Sequence, residues 1–468
     1  MQDAIYNSLL AEDRQSLHAI VGDRIEAAFP NRLVEFSEEL SRHFEIAEQH
    51  VKSARYAHMA AGKSFDLFAI RDADLWYRKA IELFPSEADE GDELLRAQAI
   101  SNHIQISCWD ARFNDMIALA GQELSRVEAL GDTREVSRTL SWLGEGHLNC
   151  SNFESAEQIL TRALEIGERI DDLDSIGYAL GELGWLRTIT IGGDSLVQLT
   201  NQANRLLNVA GNLDDHYLET LAHYILWIAH VHGGYIEKAQ VWAERLIARG
   251  QVSGYPPALN WGYCMLSYCD VCNENLESAE QHVSAARAVA QCAFDDLMTD
   301  LSLGIVKARQ RDIQACRQLL GRSQRLGDQI GSLFFAYASE AEYGRILAAD
   351  GQVDKAIEWL EESRTFFAQA GHVRAAALSG LALGDVLLTI DDGRAQAVLA
   401  DVIKDAARSG MNATNVEAVL ALNRSPAWRG DRRSALAGLD QARQSARTLG
   451  WPSLEQRATR AYEAARAC

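Results

Sequence analysis

Three groups of residues have types and spacings that could do chemistry. Ala57-His58-Met59-Ala60-Ala61-Gly62-Lys63-Ser64 fits a relaxed phosphate-loop pattern with Ala in the first Gly place. Such a loop cradles phosphate on backbone N–H groups, and it needs an apolar strand before it and a glycine-rich turn. The approach HVKSARYAHMAAG is helical in pattern and has one Gly, so a stretch of helix is expected here. Cys264, Cys269, Cys272 and His282 are zinc-type ligands, but a structural zinc site wants paired ligands at short spacings on two knuckles. Cys264 and Cys272 fall two helical turns apart, as small buried thiols would. His216, His223 and His230 repeat every seven residues on one stripe. Helical zinc pairs use i, i+4 spacing backed by a carboxylate, so packing or polar lining is the reading. Neither Gly-x-Ser-x-Gly nor His-Glu-x-x-His occurs. No catalytic, cofactor-binding or metal-ligating residue is assigned, and the chain itself is read as no enzyme.

The elements that would position any site are helices. Apolar residues recur at i, i+3, i+4 and i+7, as in FESAEQILTRALEIGERI, where Ala156, Ile159, Leu160, Ala163 and Leu164 form one stripe. No sustained period-2 pattern appears. A helix-pair signature then returns about every forty residues: Leu143, Gly144, Ala156, Leu160, Ala163; again Leu303, Gly304, Cys316, Leu320, Ser323; and Tyr343, Gly344, Ala356, Leu360, Ser363. The small residue opening each second helix falls at Ala156, Ala239, Ala279, Cys316, Ala356, Ala395 and Ala435; the first step, 83, spans two units, the middle one poorly matched around Leu183, Gly184 and Val197, and the later steps are 40, 37, 40, 39 and 40. Helix stops give a second count: Gly131, Gly211, Gly327, Gly371, Gly410 and Gly450 each follow a helical pattern, with Asp132 and Asp328 as N-cap candidates. Gly144 and Ala156 should let the two helices of a pair approach closely, with Leu160 filling the space between successive pairs. The expected fold is all-α, a helical-repeat superhelix of about ten to twelve pairs.

Composition agrees. The 468 residues are 47% hydrophobic and 24% charged, with 45 basic against 66 acidic side chains and a net charge of −21. That balance argues against non-specific binding to nucleic acid or anionic lipid, both of which need basic faces. No run of about 18 apolar residues suggests a membrane span. The start, MQDAIYNSLLAEDRQ, lacks the pattern of a secretory signal, and eight scattered cysteines fit free thiols in a reducing cytoplasm.

The Leu-Gly and Ala offsets resemble the tetratricopeptide repeat over roughly residues 100–468, with a period longer than the usual 34 by about five residues. The resemblance implies a right-handed superhelix. The first ninety residues carry a second resemblance. AIYNSLLAEDRQSLHAIVGDRIEAAFP and LSRHFEIAEQHVKSARYAHMAAGKSFDLFAIRDADLWYRKAIELF look like the segment joining an AAA-type ATPase module to its repeats. That arrangement occurs in class III adenylate/guanylate cyclase–ATPase fusions and in maltose-regulator-like relatives. The matching positions are Tyr6, Leu9, Leu10, Arg14, Leu17 and His18, then His43, Ala47, Ala54, Tyr56, Ala60 and Gly62, then Ala73, Tyr77 and Ala80. This resemblance divides the chain into a junction-like helical segment, 1–95, and a repeat array, 96–468. It implies a C-terminal piece of a larger protein, and SEADEGDELL (86–95) is the candidate joint between the two parts.

In a tetratricopeptide array the first helix of each pair lines a concave groove. That geometry places Tyr178, Trp185, Tyr224, Ile228, Trp261, Tyr268 and Met298 on the inner wall, followed by Arg309 and Arg345. Aromatic faces with a few charges can hold a peptide, a helix or a sugar. The same residues could instead fill a tight superhelix or support neighbouring helices. The resemblance implies a non-catalytic, cytoplasmic regulatory region of a cyclase/ATPase-type signalling protein. Its partner would be a protein or peptide in the groove, or upstream domains of the same chain. The alternatives are a sugar or metabolite sensor, or a free-standing scaffold. Neither oligomeric state nor superhelix pitch follows from the sequence.

Overall fold

The computed structural model describes residues 10–85, 89–190, 195–330, 340–425, 428 and 430–467. Twenty-three helices are named among them, and no strand occurs among the described residues. No described helix is long and apolar enough to cross a membrane. The chain falls into two compact units, residues 1–146 and 147–468.

The first unit contains α1 (Ala11–Ala28), α2 (Ser37–Ile46), α3 (His50–Asp66), α4 (Ile70–Leu83), α5 (Glu90–Trp109), α6 (Phe113–Glu128) and most of α7 (Arg134–Asn149). Leu40, Phe44 and Tyr56 form a core under α1. Gly22 on α1 permits that contact, because a Cβ there would come within 2.7 Å of the Phe44 ring. Tyr6 and Leu9 lie outside the described residues, as do 86–88 of the candidate joint. From Glu90 the joint is helical, capped by the Asp89 side chain, and Asp92 pairs with Arg55 of α3 at 2.6 Å. Asp74 of α4 binds His103 of α5 at 3.0 Å and Arg112 at 2.6 Å, tying three elements through one carboxylate.

The second unit continues with α8 (Phe153–Arg169), α9 (Leu173–Thr190), α10 (Ser195–Leu213), α11 (His216–Gly233), α12 (Ile236–Ser253), α13 (Pro256–Cys272), α14 (Leu276–Val289) and α15 (Ala293–Arg309). It ends with α16 (Ile313–Ile330), α17 (Glu340–Ala349), α18 (Val353–Gln369), α19 (Val373–Thr389), α20 (Arg394–Arg408), α21 (Asn412–Leu422), α22 (Arg432–Leu449) and α23 (Pro452–Ala467). The forty-residue signature maps onto pairs. Ala239, Ala279, Cys316 and Ala356 are fully buried, and Ala395 and Ala435 are at most 3% exposed. In the copies at Leu320 and Leu360 the Leu fills its own pair rather than the space between pairs. A Cβ on Gly304 would lie 2.4 Å from Leu320, and one on Gly344 would lie 2.4 Å from Leu360. The glycine is a socket for the leucine sixteen residues later.

Many helix ends use one left-handed residue, after which the N–H of the next residue bonds back to the carbonyl five positions earlier, as in Asn275 to Asp270 (2.9 Å) and His372 to Phe367 (2.8 Å). Gly131, Gly371, Gly410 and Gly450 take positive φ as expected. Two expected stops do not. Gly211 lies inside α10, which ends at Leu213 with Asp214 at φ 54°, and Gly327 and Asp328 lie inside α16. The N-cap of α7 is Thr133, whose hydroxyl accepts from Val136 N–H at 3.4 Å, not Asp132.

Within this unit the array winds back onto itself. α9 meets α19 and α11 meets α21, five pairs apart in each case. Asn412 Nδ2 donates to the Gly233 carbonyl (3.3 Å), and Trp451 Nε1 donates to the Cys272 carbonyl (3.0 Å). The start of an inner helix therefore rests on the end of the inner helix one turn earlier.

Candidate functional site

The expected wall residues lie on the first helices of successive pairs, α9, α11, α13, α15 and α17. Packing gathers the aromatics among them into one cluster. Trp185 and Trp261, each 3% exposed, lie edge to face with ring centroids 6.0 Å apart, and Trp261 stacks on Phe294 at 5.6 Å. Tyr224 is half-buried and sets its ring against Trp261 at 5.5 Å and Trp227 at 5.8 Å. Trp227 leads to half-buried Tyr268 at 5.6 Å. Tyr178 lies near the start of α9. It is buried, stacks on Tyr217 and donates to Asp215, the N-cap of α11, at 3.0 Å. Ile228 is buried and Met298 half-buried. The indole N–H groups of Trp185 and Trp261 are buried without a hydrogen-bond partner.

The two arginines belong to a ladder of charges across inner helices. Arg309 (α15) and Arg345 (α17) both reach Glu342, at 3.1 and 2.8 Å. Arg345 also approaches Asp385 of α19 at 3.8 Å, and Arg424, just past α21, binds that same carboxylate. Arg309 is half-exposed, yet the charges of Glu342 and Glu417 hold it strongly protonated. Glu417 sits on α21, three pairs further along, so its charge reaches Arg309 across the array.

Arg374, at the start of α19, joins the wall from the next turn. Its guanidinium donates to Tyr268 OH at 2.9 Å and lies 5.8 Å from that ring's centroid. Trp227, Phe294, Glu342 and Arg374 are the wall residues that sequence reasoning did not select. Trp227 had a signal, since it replaces the socket glycine after Leu226. Arg374 had none, because it meets Tyr268 across 106 residues.

The other motifs take ordinary structural positions. Residues 57–64 lie inside α3, with Ala57, Ala60 and Ala61 fully buried and Lys63 3.4 Å from Glu38. Cys264 and Cys269 are buried, which pushes their thiols up to about 11 and about 12. Cys269 accepts from Trp227 Nε1, while His282 pairs with Asp270 at 2.7 Å. His223 and His230 each donate from Nδ1 to the carbonyl four residues earlier, at 2.8 and 2.7 Å. Among the described residues no group of three or more His, Cys, Asp or Glu side chains is arranged to hold a metal ion.

These features define an all-α helical-repeat array with an aromatic and charged inner wall. No protein-family model matches the chain, and no curated protein matches it. Among solved structures it is similar to a signal-transduction ATPase with numerous domains and a tetratricopeptide-repeat sensor, from Pyrococcus horikoshii. That match has 15% identity and a TM-score of 0.40, covering 80% of this chain and 55% of that one. The chain thus spans about half the length of that ATPase. It is also similar to yeast Tom70, with 12% identity, a TM-score of 0.35 and coverage of 89% and 96%. A third is a Rap protein complexed with competence and sporulation factor, with 13% identity, a TM-score of 0.37 and coverage of 89% and 98%.

Proposed function

We propose that the chain is a non-catalytic interaction and regulatory array, working as the repeat region of a multidomain nucleotide cyclase/ATPase-type signalling protein. Residues 1–95 would form the junction to the upstream ATPase, and the inner wall would receive a protein or peptide partner. The observation that carries the binding role is the wall itself: half-buried Tyr224 and Tyr268 and half-exposed Arg309 on the successive helices α11, α13 and α15, with Arg374 of α19, from the next turn, bonded to Tyr268. A ligand there touches both turns at once. It would bias the upstream domains by favouring one spacing of the turns, since a ligand shifts an equilibrium only by its differential affinity for the two states. The parent assignment rests on the junction-like residues of the first ninety positions, among them Arg14, Leu17, His18, His43, Tyr56 and Tyr77.

Two measurements test this. Reading the frame upstream of Met1 should reveal an ATPase or cyclase module in frame; an independent start with its own promoter overturns the parent assignment. Thermal shift of the chain against a metabolite panel separates partner binding from small-ligand sensing. A saturable response to one sugar or metabolite would replace the protein partner with a small ligand.

A further inference from the structure

Charge is unevenly placed along the chain. Residues 430–468 hold seven arginines, no lysine and four carboxylates, a net +3, which leaves −24 on the 429 residues before them. These arginines sit on α22 and α23. α22 is the second helix of its pair, so its outer face lies away from the inner wall. Its buried side is Ala435, Leu439, Ala442 and Ala446. Arg432, Arg443 and Arg447 fall on the flank beside α23. There Arg432 donates to the Arg466 carbonyl at 3.1 Å, the Arg443 guanidinium lies 4.7 Å from the centroid of the Tyr462 ring, and Arg447 binds Glu455 at 2.8 Å. These contacts make a crest of arginines along the two helices, about 27 Å long for the 18 residues of α22.

The carboxylates nearby do not neutralise the crest. Asp440 binds Arg443 at 2.6 Å, Glu455 is taken by Arg447, and Glu417 of α21 binds Arg457. Asp431 caps α22 through the Ser434 N–H at 3.3 Å and feels the Arg433 charge. Glu463 forms no ion pair among the described residues, and neither do the exposed Arg432, Arg433 and Arg466. An arginine fork takes a carboxylate in two parallel hydrogen bonds, which a lysine cannot do. Among the described residues of α22 and α23 no large apolar side chain is exposed, so the crest has nothing to insert into a bilayer.

Range decides among anions. At about 0.1 M salt, exposed charges more than about 10 Å apart are largely screened. A segment of about ten residues, extended to about 33 Å, matches the crest and stays clear of the acidic remainder of the chain. A nucleic-acid duplex or a membrane reaches past the crest and meets that acidic remainder.

We propose that the α22–α23 crest docks a short aspartate- and glutamate-rich segment of a protein partner. This surface is separate from the inner wall, and its role does not depend on that wall binding anything.

The test uses the full chain and a fluorescently labelled oligoglutamate of about ten residues, read by anisotropy. Binding should saturate, and should weaken by about tenfold or more between about 50 and about 200 mM NaCl, because the charges involved are exposed. Arg433→Glu combined with Arg466→Glu should weaken it by about tenfold or more, since like charges then face each other. Arg71→Glu combined with Arg408→Glu changes the net charge equally at exposed positions elsewhere and should leave the affinity unchanged. No saturable binding by the wild-type chain, or equal loss in the control pair, overturns the proposal. A short DNA duplex or phosphatidylserine vesicles binding more tightly than the peptide overturns the choice of partner. Should the charge-reversed crest fail to fold, hydrogen exchange of the wild-type chain decides. Protection by the peptide confined to α22 and α23 supports the crest, and protection elsewhere, or none, overturns it.

Discussion

Gly234 lies directly against Ala413 of the next turn: a Cβ built on Gly234 would come within 3.0 Å of the Ala413 Cβ and 3.2 Å of its backbone nitrogen. Gly234 is also left-handed, at φ 83°. One residue thus ends α11, turns the chain into α12 and lets two turns of the array touch. Left-handed geometry alone costs a residue with a Cβ about 1–2 kcal/mol.

Gly234→Ala should therefore lose more than that, because the neighbouring backbone cannot yield as a side chain can, and overpacking adds about 1–3 kcal/mol. Gly371→Ala is the control. It has φ 78° with nothing within 4 Å of the added Cβ, so it reports the conformational cost alone. Urea unfolding of the two variants measures the difference. Equal losses would mean that the seam gives way freely.

The socket contact makes a second prediction. Gly344→Ala places a methyl carbon where Leu360 now sits, and should cost about 1–3 kcal/mol by overpacking. Leu360→Ala should cost about 2–5 kcal/mol by leaving a cavity. Together the two should cost less than their sum, because the added methyl enters the vacated space. A double-mutant cycle should give a coupling of about 0.5–3 kcal/mol; strict additivity would show that the glycine is not a socket.

Glu145 gives a prediction for pH. It is fully buried on α7, and burial raises its carboxyl from the ordinary 4.5 to about 7, although the Cys108 thiol donates to it at 2.8 Å. A raised carboxyl means that the folded chain holds a proton the unfolded chain has released. Stability should fall as pH rises from about 4.5 to about 7, then level off. Glu145→Gln should flatten that part of the profile in guanidinium titrations. An unchanged slope would place the dependence on another group.

How much of this was legible follows the range of each contact. Gly344 and Leu360 touch across sixteen residues, so the sequence period carries their packing. Helix ends were half-visible. Gly371 and Gly410 announce their left-handed turns, but Asp171, Asp214, Glu274 and Arg311 adopt the same conformation behind ordinary side chains. Glycine spacing therefore misread Gly211 and Gly327 as stops. Pitch was invisible. It is set by pairs such as Asn412 with Gly233, 179 residues apart, and no local pattern encodes which turn will meet which. The inner wall was partly visible for the same reason: helical spacing located Trp261 and Tyr268, whereas Arg374 arrives from the next turn.

That division between local and inter-turn contacts separates two wall residues by experiment. Trp261 packs against Trp185, Tyr224 and Phe294 and is 3% exposed, so its ring is enclosed by its own turn. Trp261→Ala should cost about 3–5 kcal/mol through the cavity it leaves. Tyr268 is half-buried and holds Arg374 of the next turn. Tyr268→Phe keeps the ring beneath the guanidinium and removes one hydrogen bond to a charged group, worth about 1.5–3 kcal/mol at most. It should leave the unfolding midpoint of the local aromatic cluster nearly unchanged while speeding hydrogen exchange at the start of α19. The two variants can be compared by near-ultraviolet circular dichroism, which reads the cluster, and by exchange at Ala375 and Ala376, which reads the seam. If Tyr268→Phe collapses the aromatic signal as Trp261→Ala does, the turns are not separately held, and a ligand could not act by changing their spacing.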